Sequence, residues 1–384
     1  MPLLGWPLLV LLALLSVAAV AASLVLWGRV RGPQLARAAQ RVGLVVLCQL
    51  TAVLLLGAAV NNWGYFYGSW SDLFGTSAAG APPARVFGAT PGDGSRPQAL
   101  GPRHLVTADA PVTGATSWST RAQWATRGRV ESLRLTGAHS RLSELALVYL
   151  PPQYFAPAER HRLFPAVEVL TGYPGSTRAL VERMHYPDML LSQIEAHRAG
   201  PMVLVMLRPT VVPPRDTECT DVPGGPQTLT YFAEDVPRAV SAVLRVRPAG
   251  WGAMGDSTGG YCATKFAMTH SDVFSAAASL SGYYHTLRDR TTGDLWGGSP
   301  QLRRLNDPEW LLRHQPPPPV SVFATTGSDE RGPNGVRDLS TFASLVRSPM
   351  SITVQTVPGG GHNFSSWARV MPSALDWLSA RLGA

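Results

Sequence analysis

The sequence predicts an α/β protein, a mostly parallel sheet covered by helices, preceded by two membrane-spanning helices. Three observations carry that reading. Two long apolar runs open the chain, strand-like and helix-like segments alternate beyond Leu150, and Gly255-Asp256-Ser257-Thr258-Gly259-Gly260 stands between an apolar strand and a helix-like segment. Alternation of this kind is the pattern of a sheet buried on both faces. A serine on a sharp strand-to-helix turn is the context that gives a G-x-S-x-G match chemical meaning. By itself the hexapeptide equally fits an ordinary turn, so the rest of the chain has to decide.

With 384 residues there is room for one large catalytic domain and something smaller. The chain is 45% hydrophobic and only 15% charged, a balance that places part of it in a membrane. The net charge of +8 is nearly all arginine, since Lys265 is the only lysine. The arginines are scattered and not clustered with aromatics, which argues against a nucleic-acid partner. Three cysteines without a C-x-x-C motif argue against a zinc site or a redox centre, and the chemistry is expected to need no metal or cofactor.

Residues 3–26 are long and apolar enough to cross a ~30 Å hydrocarbon core as a helix. A second run covers residues 42–60, with Cys48, Gln49 and Thr51 as its mildly polar members. Arg29, Arg31, Arg37 and Arg41 lie between the two runs. The positive-inside rule keeps that loop in the cytoplasm and sends both the N-terminus and everything after Val60 outward. A cleaved signal peptide is the competing reading of the first run, but no basic segment precedes it and it is too long. Trp63, Tyr65, Phe66, Tyr67 and Trp70 then fit an interfacial aromatic belt or a small amphipathic docking segment. The membrane hairpin is assigned to residues 1–74, a linker and lead-in segment to 75–128, and the catalytic domain to 129–384. Residues 75–103, rich in Gly, Ala, Pro and Ser, read as a flexible tether.

Strands are expected at residues 129–135 and 144–150, with a hairpin turn over 136–141. Further strands follow at 166–170, 202–207, 251–254, 275–280, 320–325 and 351–357. Helices are expected at 188–197, 236–246, 261–270 and 372–382. Residues 284–319 form a long connection with Trp296, Trp310 and four consecutive prolines, either a lid or acceptor pocket or an ordinary surface excursion.

The chemistry centres on Ser257. Strand and helix approach too closely at its turn for side chains at Gly255 and Gly259, and the serine itself sits in strained backbone. An alcohol near its free pKa is a poor nucleophile, so Ser257 needs a base within hydrogen-bond reach and a carboxylate to orient that base. His362, on the glycine-rich loop Pro358-Gly359-Gly360-Gly361-His362-Asn363-Phe364, is the one histidine of nine that follows the acid candidates. Those candidates are Asp329 and Glu330, directly after the strand at 320–325, and either carboxylate can turn toward His362. Backbone N–H groups of Thr258 and Tyr173 are the expected oxyanion donors. Cys219 and Cys262 are expected to form a disulfide, because an outward-facing domain is oxidised and Cys48 is sequestered in the membrane.

Residues 144–382 resemble the esterase-D-type esterases, the group that includes enterochelin esterases and actinobacterial mycolyltransferases. The matching pieces are Tyr149-Leu150-Pro151-Pro152-Gln153-Tyr154, Leu170-Thr171-Gly172-Tyr173-Pro174-Gly175, the Gly255 to Gly260 hexapeptide, Ser281-Gly282-Tyr283 and Gly361-His362. The resemblance implies an α/β-hydrolase fold and acyl-ester chemistry. It also favours Glu330 over Asp329, since the acid of such relatives commonly stands three residues after a strand-ending glycine. Thr171 departs from the His or Asp that many members carry, and the polar sugar-contacting cluster of the mycolyltransferases has no match, which speaks against trehalose. The expected function is a membrane-anchored, outward-facing serine esterase or acyltransferase working through an acyl-enzyme. Its substrate is an acyl ester, and its acceptor is water or a lipid or cell-envelope alcohol. The alternative is a non-catalytic envelope-binding protein of the same fold.

Overall fold

The apolar runs at the head of the chain fold as the helices Trp6–Leu26 and Gln34–Gly64, in a computed structural model that describes residues 3, 5–64, 70–73, 106–108 and 121–384. The described residues fall into two compact units, within residues 1–79 and within residues 80–384. In the first unit both helices are long and apolar enough to cross a membrane. The second starts eight residues before its apolar run, because Arg37 and Arg41 and their alanine neighbours continue the helix beyond the apolar stretch. Some polar groups of the pair are bonded within it. Ser23 Oγ lies 3.2 Å from Cys48 Sγ, and Thr51 Oγ1 donates to the Leu47 and Cys48 carbonyls. Trp70 is exposed on the short helix Trp70–Leu73. Tyr65, Phe66, Tyr67 and the tether at 75–103 lie outside the described residues.

The second unit is built on a nine-stranded sheet ordered β1-β2-β3-β5-β4-β6-β7-β8-β9. The strands are β1 Val106–Ala108, β2 Arg129–Thr136, β3 Ser143–Leu150, β4 Ala166–Leu170, β5 Val203–Leu207, β6 Trp251–Asp256, β7 Phe274–Leu280, β8 Ser321–Gly327 and β9 Ser351–Val357. From β5 through β4 to β9 every pairing is parallel, and β1, β2 and β3 add an antiparallel flank. The β2–β3 pair is the expected hairpin, in register from Arg129 opposite Leu150 to Thr136 opposite Ser143.

Every residue of β4, β5 and β6 is buried, which explains why their sequences are apolar apart from Glu168 and Asp256. Alternate residues feed two cores. Val205, Trp251 and Ala253 pack with Val240 and Phe266 on one face, and Val167, Leu204 and Met254 with Val370, Leu375 and Leu378 on the other. Glu168 shares the first face with Ala166 and Leu170, fully buried, with neither carboxyl oxygen hydrogen-bonded among the described residues. Burial pushes its pKa well above the ordinary carboxyl value.

Several element limits differ from the sequence reading. The closing helix runs Phe364–Leu382, starting eight residues before Pro372, because the Asn363 side chain caps it by accepting from the Ser366 N–H at 3.0 Å. Pro372 sits inside this helix. The helix after Ser257 starts at Thr258 and not at Tyr261. The lead-in segment supplies β1 and the helix Arg121–Arg127, both missed. Helices Pro300–Leu305 and Pro308–His314 occupy the long connection, each capped by the side chain just before its proline, Ser299 and Asp307. Trp296 there is buried against Leu295 and Val222, and Trp310 stacks on His314.

Candidate active site

Strand β6 ends at Asp256 and the helix Thr258–Thr269 begins two residues later, leaving Ser257 alone to make the turn. Its φ of 54° and ψ of −121° lie where L-residues are rare. The turn is held from below by the Ser257 N–H, which donates to the Leu280 carbonyl at 2.9 Å. Steric room explains the flanking glycines. A Cβ on Gly255 would stand 2.5 Å from the Gly259 carbonyl carbon, and one on Gly259 would stand 2.3 Å from the Leu170 carbonyl oxygen.

His362 lies on the loop after β9, and its Nε2 is 2.9 Å from Ser257 Oγ. Its Nδ1 is 2.8 Å from Glu330 Oε2. The ring stands edge-on to Trp367 at 5.1 Å, and the loop is fixed by the Gly361 N–H donating to Ser366 Oγ at 3.0 Å. Glu330 Oε1 accepts from Ser281 Oγ at 2.5 Å and from the Gly327 N–H at 2.7 Å. Burial pushes the Glu330 carboxyl up, but the hydrogen bonds from His362, Ser281 and Gly327 outweigh it and leave the pKa below the ordinary value. Asp329 is exposed. Its carboxylate accepts from Ser328 Oγ, and its backbone N–H holds the Gly360 carbonyl. The structure thus brings Ser257, His362 and Glu330 together and leaves Asp329 in solvent.

Thr258 is the first residue of its helix, where N–H groups have no intrahelical acceptor and the helix end carries partial positive charge. Tyr173 follows Gly172, whose N–H donates to Asp256 Oδ2 at 2.8 Å. Sequence reasoning missed Asp256, which ties the turn after β4 to the serine turn. Burial pushes its carboxyl up to about 7, against the opposing pull of the Gly172 N–H and His362. The only available signal was an acid at the end of a fully apolar strand.

Cys219 and Cys262 are disulfide-bonded and Cys48 is free, as expected. Among the described residues one group offers metal-ligand atoms close together, namely His285, Glu309 and Asp338, within 4.8 Å of one another. Its members already pair as ions, His285 with Asp338 at 3.3 Å and Glu309 with Arg313 at 2.9 Å.

Residues 145–378 match the Esterase family model, described as Putative esterase. The chain belongs to this family. Members are serine-hydrolase-type enzymes acting on carboxylic esters, as hydrolases or acyltransferases, and this esterase shares that class. Among solved structures it is similar to an S-formylglutathione hydrolase from Agrobacterium tumefaciens, with a TM-score of 0.57 and 17% identity, over 67% of this chain and 97% of the other. A ferulic acid esterase aligns with a TM-score of 0.53 and 17% identity, over 66% of this chain and 97% of that one. The fluorophosphonate-binding serine hydrolase FphF of Staphylococcus aureus gives a TM-score of 0.52 and 16% identity, over 65% and 97%. At such identities these three show the fold alone, an α/β-hydrolase sheet. No match to a curated protein sequence is found.

Behind Ser257 the esterase buries a polar network that the sequence reading also missed. Thr258 Oγ1 donates to Asp216 Oδ2 at 3.0 Å, and Tyr283 OH donates to Glu218 Oε1 at 2.8 Å. Lys265 Nζ donates to the Glu218 carbonyl at 2.7 Å, to Asn306 Oδ1 at 3.0 Å and to Thr220 Oγ1 at 3.1 Å. Burial pushes the Glu218 carboxyl up and the Lys265 amine down. The one lysine of the chain is therefore an internal tie.

Proposed function

We propose that this esterase is anchored in a membrane by its two N-terminal helices and works on the outer face through Ser257, His362 and Glu330. The observation that carries the proposal is the unbroken line of contacts from Ser257 Oγ through His362 Nε2 and Nδ1 to Glu330 Oε2, at 2.9 and 2.8 Å. His362 accepts the Oγ proton as Ser257 attacks the acyl carbonyl. Glu330 holds the imidazole in the tautomer with Nε2 free to accept, and it stabilises the imidazolium that forms. Negative charge develops on the carbonyl oxygen and is met by the N–H groups of Thr258 and Tyr173. The alcohol of the ester leaves with the proton from His362, and an acyl-enzyme remains on Ser257. A second hydroxyl, deprotonated by the same histidine, then takes the acyl group.

Membrane attachment is supported by side chains such as Leu14, Val17, Val53 and Leu56, which are exposed on the two helices. A water-soluble domain would bury such a surface, whereas lipid solvates it. Arg29 and Arg31 in the connecting loop, with Arg37 and Arg41 on the next turns, hold that loop inside. An impermeant maleimide added to intact cells should then label a cysteine placed at exposed Ser340 and spare one placed at Gln34. Labelling at Gln34 alone would reverse the orientation.

A site at a membrane surface meets lipid and envelope alcohols at high effective concentration, which favours acyl transfer beside hydrolysis. The enzyme test supplies a p-nitrophenyl ester with a panel of glycerol and sugar acceptors. Ester turnover should vanish in Ser257→Ala, and an acylated acceptor should accumulate with the intact enzyme. Free acid as the sole product with every acceptor removes the transfer reading. Wild-type turnover in Ser257→Ala removes the serine mechanism, and no turnover by the intact enzyme leaves the envelope-binding alternative.

A further inference from the structure

The two expected oxyanion donors come from elements far apart in sequence, yet their side chains end on one short segment. Thr258 Oγ1 donates to Asp216 Oδ2 at 3.0 Å, and Tyr173 OH donates to the carbonyl of Pro214, two residues earlier. That segment is itself clipped to the helix that Thr258 begins. Cys219 is bonded to Cys262, and one turn further along the helix Lys265 grips the Glu218 carbonyl and the Thr220 hydroxyl. Other bonds brace it from outside. The Glu218 N–H donates to Asp216 Oδ1 at 2.9 Å, the Asp216 N–H donates to the Thr291 carbonyl at 3.1 Å, and the Arg215 guanidinium donates to the Thr292 and Asp294 carbonyls. The strap runs inward from exposed Pro214 to Asp216 and Glu218, which are both buried.

We propose that the strap at residues 214–220 positions the oxyanion hole, with Asp216 and the Pro214 carbonyl setting where the Thr258 and Tyr173 N–H groups point. This rests on Ser257 being the nucleophile and adds a positioning element to it. The physical requirement is strict, because donors must stand about 2.7–3.1 Å from where the oxyanion will be, and not from the ground-state carbonyl. A main-chain N–H has no freedom of its own, so its aim is set by whatever fixes the residue that carries it. Thr258 begins a helix at a strained turn, and Tyr173 lies on a loop after β4. The strap is the body common to both. Asp216 acts through the Thr258 hydroxyl, so it is a positioning residue.

The experiment measures kcat and KM for a p-nitrophenyl ester, together with the inhibition constant of a trifluoromethyl ketone. That ketone adds Ser257 Oγ and presents a tetrahedral oxyanion to the same donors. Thr258→Val keeps the shape and removes the donor to Asp216, whereas Thr258→Ser keeps the donor. Thr258→Val should lower kcat by about tenfold or more with KM little changed, and weaken the ketone in proportion. Thr258→Ser, which keeps the donor, should recover most of the kcat and ketone affinity that Thr258→Val loses. Tyr173→Phe, which deletes a single hydroxyl near the surface, should show the same split, and it decides the matter if Thr258→Val fails to fold. Unchanged kcat and unchanged ketone affinity in the folded variants overturn the proposal. Ser257→Ala in the same assay keeps the two questions apart. If it is inactive while Thr258→Val and Tyr173→Phe are fully active, only the strap's role is lost. If it is as active as wild type, the reading beneath it is lost.

Discussion

Glu330 meets His362 Nδ1 with Oε2 at 2.8 Å, while its other oxygen is held by Ser281 Oγ at 2.5 Å and the Gly327 N–H at 2.7 Å. Ser281 is in turn gripped by the Trp367 indole N–H at 2.9 Å, and the Trp367 ring also abuts His362. Glu330 and His362 are therefore braced by the same tryptophan, which belongs to the closing helix.

Replacing Glu330 by Gln should lower kcat for a p-nitrophenyl ester by about 10³–10⁴-fold, since an amide holds the wrong histidine tautomer and leaves the imidazolium uncompensated. Asp329→Asn should leave turnover near the wild-type rate, because that side chain is exposed and touches Ser328. Steady-state kinetics of the two variants decides between them, and a severe loss at Asp329 alone would reverse the assignment.

The serine turn and the histidine loop were legible because their signals are local. Gly255 and Gly259 are demanded by contacts within one turn and its neighbouring strand, and His362 sits on a run of glycines just past the last strand. The choice between Asp329 and Glu330 was not legible from the residues themselves. They are adjacent on one turn, and Ser281, from the end of another strand, shares the grip on the inward carboxylate. Asp256, Asp216 and Lys265 were missed for the same reason, since each acts through a partner distant in sequence. The start of the closing helix was misplaced because Pro372 looks like a first-turn proline, whereas the cap is Asn363. The flank β1 is three residues in a segment with no apolar period, and only its pairing with β2 makes it a strand.

Glu168 supplies a prediction about stability. Burial raises its native pKa, so the folded protein keeps the proton over a range in which the unfolded chain, titrating near 4.3, has lost it. Its contribution to stability is fully present below about pH 4 and declines as pH rises toward the native pKa. Glu168→Met keeps the volume and removes an unsatisfied polar group. It should raise the unfolding free energy by about 1–3 kcal/mol at pH 8 and by less at pH 4. Denaturant melts at the two pH values test this, and a larger gain at pH 4 would contradict it.

The disulfide closes a separation of 43 residues. In the chain-entropy account, cross-links of that span contribute about 2–4 kcal/mol. Thiol labelling of the denatured, unreduced protein should find Cys48 alone, and three thiols should appear after reduction. Cys262→Ser should lower the midpoint of thermal unfolding. Three reactive thiols before reduction would show that the bond is not formed in the native protein.

Mapping the site of covalent modification shows whether Ser257 is the nucleophile. The full-length protein in membranes is treated with a fluorophosphonate, digested and sequenced by mass spectrometry. One adduct is expected, on Ser257, absent from Ser257→Ala and blocked by prior incubation with an ester substrate. An adduct on a different residue, or ester turnover that persists with Ser257 unmodified, would contradict it.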